Sequence, residues 1–347
     1  MYNGTKVFDV HGHVTPTPHR NAFLVNLLTS NAAQRSPLSS PLSGGRAGGG
    51  NFGRQMEIGD DAYQIAAESH TKYLDDRNID VQIIGPRPFT MLGWMQPHLL
   101  PAWCRYTNDT IAKQCEYFPK RFLGAAMLPQ ISSAPDLSNC LPELERCVKE
   151  MGFVAAYLSP DPAGEKKTPG MADAYWYPLY ERCQEWSIPL IVHGTNSLDP
   201  RVAFIPANYQ IGFVTEQFIA TQILSRGDVF DRFPELKVIV CHCGGALDRF
   251  IPEAGWRGRK DISKNLFFDT CAYDVDFLST AIKQRGAAQM LFGTEAPGSG
   301  GTMNPATGKS SDHLVEVIGG LSFLSEQEKI GIFNSQPASV FPAFVKV

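Results

Sequence analysis

The chain has 347 residues, 43% of them hydrophobic and 19% charged, with a formal net charge of −4. That size suits two domains or one large α/β barrel with a sizeable core. With no long run of either charge, nothing favours nucleic-acid or membrane-surface binding. The opening Met1-Tyr2-Asn3-Gly4-Thr5-Lys6 lacks the basic-then-apolar pattern of a signal peptide, and no run is long enough to span a bilayer. The eight cysteines (Cys104, Cys115, Cys140, Cys147, Cys183, Cys241, Cys243 and Cys271) are scattered, as expected of reduced thiols in a cytoplasmic protein.

In chain order, short apolar runs alternate with longer amphipathic segments. The first strand is expected over 7–11, running on into Gly12 and His13. After it comes a Gly/Ser/Pro-rich stretch, 36–53, within an insertion at about 30–58. It reads as a mobile βα loop over the chemistry or as a plain insertion. No strand leads straight into its glycines and no Lys-Ser/Thr follows them, so it is not a phosphate loop. A helix is expected from Asp60 to about Asp76, acidic at its start as the helix dipole favours. Further strands are expected at 81–85, 122–127, 153–158, 190–193, 238–242, 266–269 and 290–293. Helices are expected at 137–151 (stopped by Gly152), 173–186, 212–226 and 325–333, the last opened by a capping box at Ser325 and Glu328. Near-continuous apolar strands alternating with helices predict a single-domain (β/α)8 barrel over 1–347.

The chemistry-bearing residues fall at the ends of these strands. His11 and His13 are two apart, so in a strand both imidazoles leave one face. His193, His242 and Glu295 each lie at or just after the end of another apolar run. Barrel strands converge at their C-terminal ends, whereas His19, His70, His98 and His313 lie in loops or helices. One divalent metal is therefore expected on His11, His13, His193 and Glu295, a nitrogen/oxygen set of the kind zinc prefers, with an open position for water or substrate. A bridged metal pair would need an extra anionic ligand near the fourth strand's end. Ala155-Ala156-Tyr157-Leu158 has none. His242 is the candidate general acid/base. Its neighbours Cys241 and Cys243 are expected to face away from it into the core. For a substrate carboxylate, Arg87 after the second strand is the first candidate, followed by Arg54, Arg46 and Arg201.

These residues, together with Phe233-Pro234-Glu235-Leu236, Cys241 to Arg249, Phe292-Gly293-Thr294-Glu295 and Asn334-Ser335-Gln336-Pro337-Ala338, resemble the metal-dependent amidohydrolase superfamily. The likeness is to its aminocarboxymuconate-semialdehyde decarboxylase-like branch. The resemblance implies a distorted (β/α)8 TIM barrel with one zinc or manganese, His11, His13 and His193 as ligands, and His242 as catalytic acid/base. Most of that branch carries Asp where this chain has Glu295. Glu there, before Gly-rich sequence, looks like the 4-oxalomesaconate hydratases of aromatic-acid catabolism.

The expected activity is therefore a lyase adding water to an unsaturated oxo-tricarboxylate, with Glu295 as ligand, acid/base or both. The alternatives are a non-oxidative decarboxylase of an aromatic or muconate-type acid, a C–C, ester or amide hydrolase, and a barrel that binds metal or acid without turnover. The partner is a small carboxylate. A homodimer is expected by the same resemblance, with the apolar 341–345 serving an interface or packing on its own barrel.

Overall fold

The computed structural model describes residues 1–18, 59–195, 197–202, 210–248, 261–305 and 307–347. The insertion expected at about 30–58, with Arg46 and Arg54, lies outside them. Eight strands form one parallel sheet in sequence order: β1 (Phe8–His13), β2 (Val81–Gly85), β3 (Phe122–Met127), β4 (Ala155–Leu158), β5 (Leu190–Val192), β6 (Val238–Val240), β7 (Leu266–Asp269) and β8 (Met290–Leu291). The seam between last and first strand is bridged by Val10 N–H to the Phe292 carbonyl at 2.9 Å and by Glu295 N–H to the His11 carbonyl at 2.7 Å. The expected barrel is present, and its seam runs through the residues that matter.

Strand alternation sorts the apolar side chains into two layers. Leu190, Val192, Val238 and Val240 face outward to helix residues such as Leu74, Leu179, Leu224 and Leu278. Ile191, Ile239, Tyr157 and Leu291 face inward and fill the barrel. Each fully buried aliphatic side chain contributes about 1.5–3 kcal/mol, so neither face can be left uncovered. The C-terminal segment packs on its own barrel. Phe344 stacks on Phe8 with centroids 4.7 Å apart and planes at 7°, and Phe341 meets it edge-on at 6.0 Å.

The helix Asp60–Asp76 and the Ser325/Glu328 capping box are as expected. The helix expected over 137–151 is a 3-10 turn, Leu137–Cys140, followed by an α-helix, Leu141–Lys149. Pro142 lacks an N–H and crowds the preceding turn, so it is accommodated in the first turn of the α-helix. The two longest helices that escaped the sequence reading are Leu100–Tyr117 and Val275–Arg285, the latter starting where the Asp274 side chain accepts from Phe277 N–H at 2.7 Å.

Candidate active site

β1 carries both histidines of the His-x-His pair, but its pairing with β2 shifts register between Asp9 and Gly12. Val10 faces the barrel interior, and the irregularity turns His11 inward beside it. His11 and His13 come together with ring centroids 5.0 Å apart at 86°. A Cβ at Gly12 would lie 2.1 Å from Gln82 Cδ, so any larger residue would have to displace that buried, hydrogen-bonded side chain. Gly293 is equally constrained, since a Cβ would lie 2.8 Å from Asp269 Cβ and 3.0 Å from His11 Cβ.

β5, β6 and β8 end earlier than the sequence suggests. His193 is one residue past β5, His242 two past β6 and Glu295 four past β8. His242 and Glu295 adopt left-handed backbone, with φ of 53° and 59°. Residues without special reason avoid that conformation, and strain of about 1–3 kcal/mol is tolerated where surrounding structure demands it. The expected cysteine orientation is corrected by the same turn. Cys241 joins the inner layer and Cys243, also left-handed at φ 57°, the outer one, so the two thiols part company.

The result is a buried cluster. One ligand atom from each of His11, His13, His193 and Glu295 lies within 4.8 Å of the others. Glu295 Oε1 is 3.6 Å from His13 Nε2 and 3.8 Å from His193 Nε2. Ligands of a tetrahedral ion with bonds of about 2.1 Å sit about 3.4 Å apart, close to these separations. Of six buried side-chain N or O atoms without a partner among the described residues, four belong to these histidines: His11 Nε2, both His13 nitrogens and His193 Nε2. Such orphans cost about 1–3 kcal/mol each unless something occupies their lone pairs. The donor set therefore fits a divalent metal ion.

The protonation pattern agrees. Burial pushes His13 down to about 3 and His193 down to about 4, so both are neutral and can offer lone pairs. His193 Nδ1–H donates to the Gly194 carbonyl at 2.8 Å, leaving Nε2 for the cluster. Burial lowers the affinity of His11 for a proton, but the Asp269 carboxylate outweighs it and holds the group above its ordinary value. The bond from His11 Nδ1 to Asp269 Oδ2 is 2.7 Å, which directs His11 Nε2 inward. Asp269 is itself raised by burial, but the His11 charge and hydrogen bond bring it below the usual range. Glu295 is likewise opposed by burial and held well below it by His13, His193 and His242.

His242 stands at the rim, with Nε2 3.9 Å from Glu295 Oε2 and Nδ1 against the Gln217 amide at 2.9–3.1 Å. Tyr157 lies on β4, where a bridged metal pair would need its extra anionic ligand. Its hydroxyl donates to the Gly12 carbonyl at 3.2 Å, and its ring lies 5.9 Å from His13. Outward, a cavity of about 400 Å³ is lined by His13, Glu295, Arg87, Tyr73, Phe213 and Ser299, among others. Arg87 reaches it and donates from Nη2 to the Pro297 carbonyl at 3.0 Å. Arg201 is surface-exposed, with its Nε 2.9 Å from Asp199.

Sequence reasoning missed Asp269, Gln217, Tyr273 and Ser299. Asp269 ends a recognised strand, which was a usable signal: a carboxylate at a barrel strand's C-terminal end faces the chemistry. The other three have no such mark.

Fold and site together define a (β/α)8 barrel with a buried three-histidine, one-carboxylate centre at the C-terminal ends of its strands. The chain belongs to the amidohydrolase family, whose model matches residues 8–343. It is 33% identical over 303 residues to a 2-keto-4-carboxy-3-hexenedioate hydratase of Sphingobium sp., covering 82% of this chain and 85% of that one. It is 28% identical over 297 residues to a gamma-resorcylate decarboxylase of Polaromonas sp., covering 78% and 86%. The solved structure of a 4-oxalomesaconate hydratase from Rhodopseudomonas palustris superposes with a TM-score of 0.78 at 28% identity, covering 98% of this chain and 97% of that one. All eight cysteines are free, and no helix among the described residues is long and apolar enough to cross a membrane.

Proposed function

We propose that the protein is a metal-dependent hydro-lyase that adds water across the conjugated double bond of an oxo-tricarboxylate of the 4-oxalomesaconate type. The reading is carried by Glu295. It reaches the three-histidine cluster with Oε1, holds Oε2 3.9 Å from His242 Nε2, and lines the cavity. Similarity to two hydratases supports it. His11, His13, His193 and Glu295 would hold one ion, zinc by donor chemistry or else manganese. When bound, it supplies Lewis-acid stabilisation of charge developing on a substrate carboxylate or keto oxygen.

The chain's own groups divide the remaining work. An ionised carboxylate accepts protons and donates none, so Glu295 takes the proton of the attacking water as the carbon–oxygen bond forms. His242 Nε2 delivers a proton to the neighbouring carbon. Arg87 holds a remote carboxylate at the cavity wall. Phe213, edge-on to His193 at 5.3 Å, narrows the space open to bulk water. We further read the protein as a cytoplasmic homodimer: free thiols support the location, and light scattering tests the dimer.

A second reading, decarboxylation of an aromatic acid, is favoured by the gamma-resorcylate decarboxylase similarity. Mass spectrometry separates the two. Zinc-loaded protein is incubated with 4-oxalomesaconate beside a panel of aromatic carboxylic acids. Gain of one water on the oxo-tricarboxylate supports the hydratase. Loss of carbon dioxide from a panel acid, with no hydration, overturns it.

A further inference from the structure

The two oxygens of Glu295 have different surroundings. Oε1 faces His13 and His193. Oε2 accepts from Ser299 Oγ–H at 2.6 Å and lies 3.4 Å from the Tyr273 hydroxyl. Tyr273 has one proton, and its shorter contact is to the Thr294 carbonyl at 3.0 Å, so Ser299 is the committed donor to Oε2. The turn that delivers Ser299 is tightly fixed. A Cβ on Gly298 would lie 2.2 Å from the Glu295 carbonyl oxygen and 3.0 Å from Glu295 Cγ. Left to itself, a carboxylate beside a cation can bring both oxygens to it. A hydrogen bond to a charged acceptor, worth about 1.5–3 kcal/mol, is enough to hold one oxygen back.

From this geometry we propose that Ser299 is a positioning residue that keeps Glu295 one-oxygen toward the metal and reserves Oε2 for the proton of the attacking water. The idea rests on the metal site described above. It adds a reason for the two roles of Glu295: the oxygen that ligates is not the oxygen that takes the proton. In the addition step one water O–H bond breaks and its proton goes to Oε2. The new C–O bond forms at one alkene carbon, and the proton from His242 completes the other. Ser299 loses nothing and keeps its hydrogen bond throughout.

The test uses the full chain loaded with cobalt(II), whose visible absorption weakens as coordination rises above four. Ser299→Ala is compared with wild type and with Ser299→Thr, which restores a hydroxyl. The expected result for Ser299→Ala is a full complement of cobalt with weakened bands, as the second oxygen turns inward. In the zinc enzyme kcat falls on the order of 10- to 100-fold with KM little changed, and Ser299→Thr recovers both spectrum and rate. An unchanged spectrum in Ser299→Ala overturns the proposal. So does a rise in KM alone, which would make Ser299 a substrate contact. Wild type that binds no cobalt would instead bring down the metal site itself. Cobalt bound normally without hydration would bring down the assigned reaction and leave the coordination result standing.

Discussion

Two buried histidine settings lie on opposite sides of the same barrel wall. Inside, His11, His13 and His193 crowd together with four ring nitrogens unpartnered. Outside, His70 has both nitrogens engaged: Nε2 with Gln82 Oε1 at 2.9 Å, and Nδ1 with Gln114 Nε2 at 2.7 Å and Thr15 Oγ1 at 3.1 Å. Gln82 passes the network on, donating from Nε2 to Asp9 Oδ2 at 2.9 Å and to the Ala296 carbonyl at 2.8 Å. Asp9 in turn accepts from His11 N–H at 2.9 Å and Thr294 Oγ1 at 2.5 Å. The outer network fixes both sides of the seam, and its polar groups are satisfied. The inner cluster is left unsatisfied, as suits lone pairs offered to a metal ion. Burial is the same in both places, so hydrogen-bond satisfaction separates structure from function.

Substitutions can break this comparison, beginning with the largest effect. Glu295→Gln keeps an oxygen donor but cannot take a proton. It should retain most of the metal and lose turnover by about 10²–10⁴-fold, read by metal analysis beside steady-state rates; a near-normal rate would remove Glu295 from the proton path. His70→Leu strands Gln82 Oε1 and Gln114 Nε2, and chemical denaturation should show a loss of about 2–4 kcal/mol.

His70 also gives the comparison a pH signature. Burial pushes it down to about 3, so the folded protein holds it neutral while the unfolded chain protonates it below about 6.5. Its contribution is present above that value and lost as pH falls toward 3. The slope approaches about 1.4 kcal/mol per pH unit. Denaturation midpoints measured from pH 7 to pH 4 should fall less steeply in His70→Leu than in wild type.

Asp269→Asn tests how far the inner cluster depends on its outer partner. Loss of the carboxylate behind His11 should weaken metal affinity about 10- to 100-fold, measured by chelator competition. The smallest effect is the most pointed. In metal-free protein, His13→Leu removes two orphaned nitrogens and breaks no hydrogen bond. Its stability should stay within about 1 kcal/mol of wild type or rise. A loss matching that of His70→Leu would mean the inner cluster is also structural.

The residues that hold the cluster were legible before the fold because barrel topology turns one-dimensional order into convergence. His11, His13, His193 and Glu295 each follow an apolar run, and parallel strands put all such ends on one face. Their partners were not legible. His11 and Asp269 are 258 residues apart, and no period or spacing links them. Gln217 sits on the helix Gln210–Arg226 among ordinary core residues, and Ser299 in a loop of glycines.

By itself, then, the sequence determined the alternation of strands and helices that makes the barrel, and it marked four candidate donors at the strand ends. These follow from local periodicity and hydrophobic burial. Tertiary structure alone decided the rest. Pairing with β2 carries the register shift in β1. Packing imposed left-handed backbone on His242 and Glu295, and the turn through Gly298 gave Ser299 to one oxygen of Glu295. Each depends on groups that meet only when the barrel closes, and such contacts leave no pattern along the chain.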